Sequence, residues 1–378
     1  MADFDAIVVG SGGVGSAALY HLAKRGVRAC GLDRFTPGHS RGSSHGGTRV
    51  IRQAYFEHPD YVPLLRRSYE LWDELEQAIG RQLFYRVGLL EVGRPDGIVV
   101  GGVRESARQY GLAVEDLSRE EAARRFPGYR VPPDCEAVFE QNAGYLLVED
   151  CVCEHIRLAV ELGGQHHAGV EVLGWDSDSR RIEVQTTNGV YTATRLIVTA
   201  GAWAPTLLSQ LDVPFRVLRK HLHWFEIEDD GYRADCGGPT FFYDVEGFFY
   251  GFPAIDELGL KIGEHSNGEQ IDDPLNAAED IDENDVRRVR EFLGTHLPNV
   301  AHRSTRHAIC FYTVSPDEHF VVDRLAEQPN VVAVAGLSGH GFKFASALGE
   351  AVVELVLDGE TSAQIGFLGS ARFANGSS

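Results

Sequence analysis

Long apolar runs are missing from this chain of 378 residues; no stretch reaches the roughly 18 residues of a membrane span. A secretory leader is not expected either, because Met1-Ala2-Asp3-Phe4-Asp5 is acidic where a leader would be basic. Positive charge is scarce: 35 Lys and Arg stand against 55 Asp and Glu, a net charge of −20. Nucleic acid and anionic membrane surfaces both require a basic face, so neither is an expected partner, although a local basic pocket stays open. The cysteines, Cys30, Cys135, Cys151, Cys153, Cys236 and Cys310, form no Cys-x-x-Cys pair and no zinc spacing. No metal site and no disulfide scaffold is therefore expected. A reduced, cytoplasmic setting fits, and most of these thiols read as buried small hydrophobes. Internal repeats and low-complexity linkers are lacking as well.

Glycine, by contrast, is abundant: 42 residues of 378 exceed the usual level of about 7%. Without a collagen period, the excess belongs in tight turns or beside a ligand. The proportions of apolar and charged residues, 43% and 24%, exclude a disordered chain. The length provides for two or three domains and a sizeable core. Residues 5–9 form an apolar β run that enters Gly10-Ser11-Gly12-Gly13-Val14-Gly15. Residues 16–25 are helical in pattern, with Val14, Ala18 and Leu22 on one face and Gly26 closing the helix. Residues 27–32 read as a second buried strand, with Asp33 at its end. Further helices are expected over 59–79, 150–162, 282–292 and 344–357. Strands are expected over 88–92, 196–201 and 331–335, a small meander over 170–193, and a β-rich aromatic region over 217–263. Residues 375–378 read as a frayed tail.

The first glycine turn matches G-x-G-x-x-G in the context that gives the match meaning. It follows a strand, opens a helix, and has an acid 18 residues beyond its last glycine. Gly10, Gly12, Gly13 and Gly15 permit the tight turn and the close approach of a pyrophosphate, whose charge a helix N-terminus stabilises. Asp33 would accept hydrogen bonds from an adenosine ribose and repel a 2′-phosphate, with Arg34 as a small complication. FAD and NAD share this fingerprint. Residues 38–52, GHSRGSSHGGTRVIR, help to choose, being dense in small residues and donors such as Ser43, Ser44 and Thr48. Small residues allow the backbone to approach a flat cofactor; the plainer alternative is a surface loop with a basic flank. A second glycine cluster, Gly336-Leu337-Ser338-Gly339-His340-Gly341, lies between an apolar strand and a helix. That helix N-terminus would face the N1–C2=O edge of a flavin, where negative charge collects on reduction.

Four segments carry a more specific resemblance. SHGGTRVIRQAY, FYGFPAIDELGLKIGEH, CFYTVSPDEHFVVD and AGLSGHGFKF follow one another between residues 44 and 344. With the N-terminal fingerprint and the strand ending TAGAW, they resemble the monomeric sarcosine oxidase and N-methyltryptophan oxidase family over nearly the whole chain. The resemblance implies FAD attached through a cysteine sulfur to the 8α position of its ring system, and Cys310 holds the matching position. It implies that Arg52 and Lys343 hold a substrate carboxylate and that Lys261 sits over the flavin and promotes reaction with oxygen. His45 and Arg49 match residues beside the flavin ring. His265 matches a histidine near the substrate amine, and Tyr250, Tyr312 and Gly339 match the substrate pocket. Val170, Gly201, Trp203, Gly336 and Gly341, with Lys343, complete the implied cofactor contacts. Without the resemblance, Cys310 would be an inert core residue, Arg52 half of a salt bridge on a helix face, and Lys261 and Lys343 solvated. Phe241-Phe242-Tyr243-Asp244 departs from the family pattern and reads as an acidic, aromatic wall suited to a different secondary amine.

The expected fold is α/β. A discontinuous Rossmann-like FAD-binding domain is drawn from residues 1–82, 141–214 and 319–378. An antiparallel-sheet α+β substrate domain is drawn from 83–140 and 215–318. The expected reaction oxidises a secondary N-methyl amino acid such as sarcosine, giving formaldehyde, a primary amino acid and, from oxygen, hydrogen peroxide. The expected state is a monomer. Alternatives are an oxidase or dehydrogenase of N-methyltryptophan or a cyclic imino acid and, in another class, a non-catalytic dinucleotide-binding module.

Overall fold

Ala6–Val9 is buried along its whole length, as a continuous apolar strand between two covered faces must be. In the computed structural model, which describes residues 2–178 and 180–373, this strand lies inside a six-stranded sheet. The expected tail at 375–378 falls outside the described residues. The strand order is Val321–Leu325, Gln328–Ala335, Arg195–Val198, Ala6–Val9, Ala29–Asp33 and Gln165–Ala168. All neighbours are parallel except the edge strand Val321–Leu325. Helices Gly13–Lys24 and Ala345–Asp358 cover one face through Leu19, Leu22, Leu348 and Val352, and Val62–Ile79 packs on the second of them. The antiparallel meander Val172–Ser177, Ile182–Thr186 and Gly189–Ala193 covers the other, packing Val184 and Ala193 against Ile7, Val9 and Leu32. This is the expected Rossmann-like α/β arrangement, with element ends shifted by a few residues.

A second sheet has nine strands and is largely antiparallel; the parallel pair is Leu89–Gly93 with Thr240–Asp244. Its longest strands, Arg216–Ile227 and Val300–Val314, pair with each other at one side. Alternation along each strand gives the sheet two distinct faces. Phe241, Tyr243 and Phe249 point to one side and pack on Phe292 of helix Glu283–His296. Phe242, Tyr250, Phe252, Trp224, Cys310 and Tyr312 share the other side. The helices Ile98–Tyr110 and Arg119–Arg125 were not expected from the sequence. Gly101 and Gly102 weaken the helical signal of the first, and the close approach of Gly102 to Phe56 shows why tertiary packing overrides propensity there. Cys30, Cys135, Cys151 and Cys310 are buried, whereas Cys153 and Cys236 are exposed. Among the described residues no helix is long and apolar enough to cross a membrane.

Candidate active site

A cavity of about 460 Å³ runs from the first glycine turn to the aromatic face of the large sheet. At the first end, Gly10 has φ +83°, and a Cβ on Gly15 would stand 1.8 Å from the Gly10 carbonyl oxygen. Glycine is therefore required for the helix to start this close to the strand. The helix that begins at Gly13 has no side-chain N-cap and no acid in its first turn, leaving its positive end for an anion. Ser44 Oγ accepts from Gly13 N at 3.1 Å and ties residues 38–52 to this turn. Asp33 accepts from Ser11 N at 2.6 Å and Phe35 N at 2.8 Å, which leaves lone pairs on both oxygens. Arg34 is drawn off to Glu171 at 2.9 Å. Val170, Gly201 and Trp203 line the same end.

Along the middle, the turn Gly336–Gly341 meets the large sheet. Gly339 has φ +83°, and a Cβ there would lie 2.2 Å from the Tyr312 ring, so the turn presses directly on that tyrosine. Ser43 Oγ donates to the Phe311 carbonyl at 2.5 Å, and Arg49 donates to the carbonyls of Ser43 and Thr48 at 2.7 and 2.8 Å. Lys261 is buried beneath the same loop. Its Nζ donates to Gly46 O, Thr48 O and Thr48 Oγ1 at 2.7, 2.8 and 3.2 Å. Burial and the nearby Arg49 charge push this ammonium well below the ordinary lysine range. His45 is also buried, with Nε2 3.1 Å from Gly42 O; burial and then Arg49 take it down to about 3.

At the far end, Tyr250, His265 and Tyr312 form a chain of contacts, with both tyrosine–tyrosine and histidine–tyrosine separations 3.4 Å. Burial reinforces the neutral form of all three: Tyr250 is raised to about 12, Tyr312 lies well above its usual value, and His265 falls to about 3. Arg52 stands just past the strand Thr48–Ile51 and is 3% exposed; Lys343 is 4% exposed. Arg52 Nη2 donates to both oxygens of Glu57 at 2.6 and 2.8 Å, and its guanidinium stacks 4.3 Å from the centre of the Phe56 ring. Burial alone would raise Glu57, but Arg52, His340 and Lys343 outweigh it and bring the carboxyl to about 2. Lys343 Nζ donates to His340 O at 2.7 Å, and burial, then Arg52, pushes it down to about 7.

Most residues singled out in the sequence meet at this cavity. Gly10, Gly12, Gly13, Gly15, Asp33, Arg34, Ser43, Ser44, Arg49, Arg52, Val170, Gly201, Trp203, Tyr250, His265, Tyr312, Gly336, Gly339, Gly341 and Lys343 all line it. His45, Thr48, Lys261 and Cys310 do not; they pack behind its wall. Arg52 is an ion-paired residue at a strand end rather than on a helix face, and Lys343 is buried rather than solvated. The expected acidic wall from 241–244 is corrected. Alternation turns Phe241 and Tyr243 into the far core, Asp244 lies against Gly93 and Gly97, and only Phe242 of that stretch reaches the cavity. Sequence reasoning missed Glu57 and Glu91, which flank Arg52. A lone acid has no periodic signature: strand register places Glu91, and the turn that follows Thr48–Ile51 places Glu57.

Residues 5–355 match the family model described as FAD dependent oxidoreductase. The chain belongs to that family. It is 41% identical to the monomeric sarcosine oxidase of Bacillus sp. (strain B-0618), over 96% of this chain and 94% of that protein. It is 38% identical to the N-methyl-L-tryptophan oxidase of Yersinia pestis (strain Pestoides F), over 98% of this chain and 100% of that protein. The family resemblance read in the sequence is thereby borne out, and the chain is an FAD-dependent oxidoreductase. Among solved structures, NikD, an unusual amino acid oxidase, superposes in its open form with a TM-score of 0.85 at 24% identity, covering 98% of both chains. L-proline dehydrogenase from P. horikoshii gives 0.86 at 23%, covering 99% of both. At those identities the likeness is one of fold.

The cavity suits FAD on observations independent of that match. The glycine turn offers a pyrophosphate a helix N-terminus with no acid in its first turn and no cap from its own Gly12. Ser11 Oγ, buried in that turn, has no hydrogen-bond partner among the described residues. Asp33 stands at the strand end with acceptor capacity left for a ribose.

Proposed function

We propose that this protein oxidises a small secondary N-methyl amino acid, with its FAD joined to Cys310 and oxygen as the final acceptor. The observation that carries the reading is the pair of buried cations, Arg52 and Lys343. They are nearly 300 positions apart in sequence, yet both line the aromatic end of one cavity. A protein of net charge −20 repels anions at long range, so such a pair is the means by which it would hold an amino acid carboxylate. The guanidinium offers a planar fork and the ammonium a point charge.

FAD, when bound, supplies the acceptor for the hydride equivalent taken from the N-methyl carbon and the route by which electrons reach oxygen. The protein's share is binding and orientation. With the carboxylate fixed, Tyr250, His265 and Tyr312 surround the amine with groups that burial keeps neutral. Such surroundings favour the neutral amine, the form able to give up a hydride equivalent. Cys310 shares a sheet face with Tyr250 and Tyr312, which supports its role as tether. Lys261, on the strand Leu260–Glu264, donates to three oxygens of the loop that carries Ser43, Ser44 and Arg49 to the cavity, contacts that favour its charged form against burial; this supports a role in the oxygen step, where a fixed cation stabilises developing negative charge. We take the chain to work as a cytoplasmic monomer.

A panel of sarcosine, N-methyl-L-tryptophan and L-proline, scored by hydrogen peroxide release, tests the substrate class. Sarcosine is expected to lead; turnover of proline alone would move the protein to the cyclic imino acids. Acid denaturation tests the tether. Yellow colour should pellet with the protein, and colour released wholly into the supernatant would refute attachment at Cys310.

A further inference from the structure

Two carboxyl groups, Glu57 and Glu91, flank the Arg52 guanidinium, and a third, Glu140, holds the backbone that follows it; their surroundings differ. Glu140 accepts hydrogen bonds from the backbone amides of Gln53 and Ala54 at 2.8–3.1 Å. Glu57 accepts two from Arg52 Nη2. Glu91 is fully buried, and neither of its oxygens has a hydrogen-bond partner among the described residues. Its Oε1 lies 3.6 Å from Arg52 Nε, too far for a hydrogen bond, and that nitrogen is equally unpartnered. The strand explains the placement. Leu90 and Val92 face the core against helix Glu283–His296, so alternation sends Glu91 the other way, in register with Phe242 and toward the cavity side. An acid buried in an apolar strand without a hydrogen bond is costly, and its position against the unpaired edge of a substrate-facing guanidinium gives that cost a purpose.

We propose that Glu91, from behind Arg52, sets how strongly the guanidinium holds a substrate carboxylate. This rests on the carboxylate clamp proposed above. One guanidinium carries one positive charge. Glu57 draws on it at one edge, and an ionised Glu91 draws on it at Nε. A substrate carboxylate is then a third anion on the same group. A protonated Glu91 leaves more of the charge to the substrate.

Burial raises the Glu91 carboxyl to about 8; Arg52 and Lys343 oppose the rise, and Glu140 and Glu57 add to it. Carboxylate affinity therefore falls as pH rises through that range. Lys343, lowered to about 7 chiefly by burial, loses its charge lower in the same window and weakens the same anion. His340, which burial lowers to about 4, and Tyr55, which burial raises well above its usual value, keep one charge state throughout.

Methoxyacetate is sarcosine with an ether oxygen in place of the amine. It keeps the carboxylate and has no group that titrates between about pH 6 and 10. Its Kd for the FAD-loaded protein, measured by titration calorimetry across that range, separates the two contributions. In the wild type, Kd should rise in two steps, by about tenfold for each pKa unit of coupling. Glu91→Gln should bind on the order of tenfold more tightly at the alkaline end and lose the upper step. Glu91→Leu, an apolar replacement suited to this strand, should do the same and guards against a fold artefact in the amide. If both variants keep the wild-type affinity and pH slope, Lys343 accounts for the titration and Glu91 has no part. If the wild type fails to bind methoxyacetate at any pH, the clamp itself is wrong and this inference falls with it.

Discussion

Arg52→Ala and Lys343→Ala should each lower kcat/KM for an N-methyl amino acid. A charge-assisted hydrogen bond is worth roughly 1.5–3 kcal/mol, or about tenfold to a hundredfold in rate. An amine lacking the carboxylate should be nearly unaffected, and the double variant should be non-additive, since both groups grip one ligand. Steady-state kinetics on the acid and its decarboxylated analogue checks this; an unchanged ratio between the two substrates would remove the clamp. Lys261→Met should slow reoxidation of the reduced protein far more than anaerobic reduction by substrate. Stopped-flow measurement of the two half-reactions decides it, and equal slowing would assign Lys261 to folding instead. These residues were legible because each sits inside a dense motif: Arg52 in TRVIRQAY, Lys261 in GLKIG, Lys343 in GHGFKF. Glu57 and Glu91 were not legible. Their importance arises from a guanidinium that the fold brings between them, and no spacing in the sequence announces that.

The turn from Ala6–Val9 into Gly13–Lys24 offers the sharpest test among the elements. Gly15→Ala would place a Cβ 1.8 Å from Gly10 O and 2.5 Å from Thr199 Oγ1. The carbonyl is backbone and cannot move aside without opening the turn. A loss of roughly 1–3 kcal/mol is expected from overpacking, together with weaker FAD retention. Gly101→Ala is the matching control, because nothing lies within 4 Å of its Cβ position in the helix Ile98–Tyr110; it should stabilise by about 0.5–1 kcal/mol. Denaturant melts and flavin content report both, and equal behaviour of the two variants would contradict the packing argument. The β-turn-α-β unit was readable because strand, glycine turn and helix follow one another within a short segment. The helix Ile98–Tyr110 was not, because contacts distant in sequence hold it. Residues 241–244 show a third case. Their aromatic character was plain, but which of them face the cavity depended on strand register.

Across the whole molecule, buried histidines govern the response to acid. Burial takes His45, His155 and His265 down to about 3, and His21 and His340 down to about 4, from an ordinary value of 6.5. Between those values the unfolded chain binds protons that the folded chain refuses, so stability is lost as pH falls from 6.5 toward 4. Each histidine contributes about 1.4 kcal/mol per pH unit in that window. Glu91 acts oppositely, since its raised value, about 8, makes the folded chain bind the extra proton from 4.5 upward. Burial also raises Glu140 and Asp244, but five histidines outnumber these three carboxyls, so the thermal midpoint should drop below pH 6.5. A flat profile between pH 4.5 and 6.5 would show that these histidines are not held neutral.

Oxidation of an N-methyl amino acid is tested most directly without oxygen. One equivalent of sarcosine is added anaerobically to the yellow protein, and air is then admitted. The flavin absorbance should be lost with one formaldehyde formed per flavin, and should return in air with one hydrogen peroxide. A flavin that dithionite reduces but that stays oxidised with sarcosine and with N-methyl-L-tryptophan would contradict the assignment.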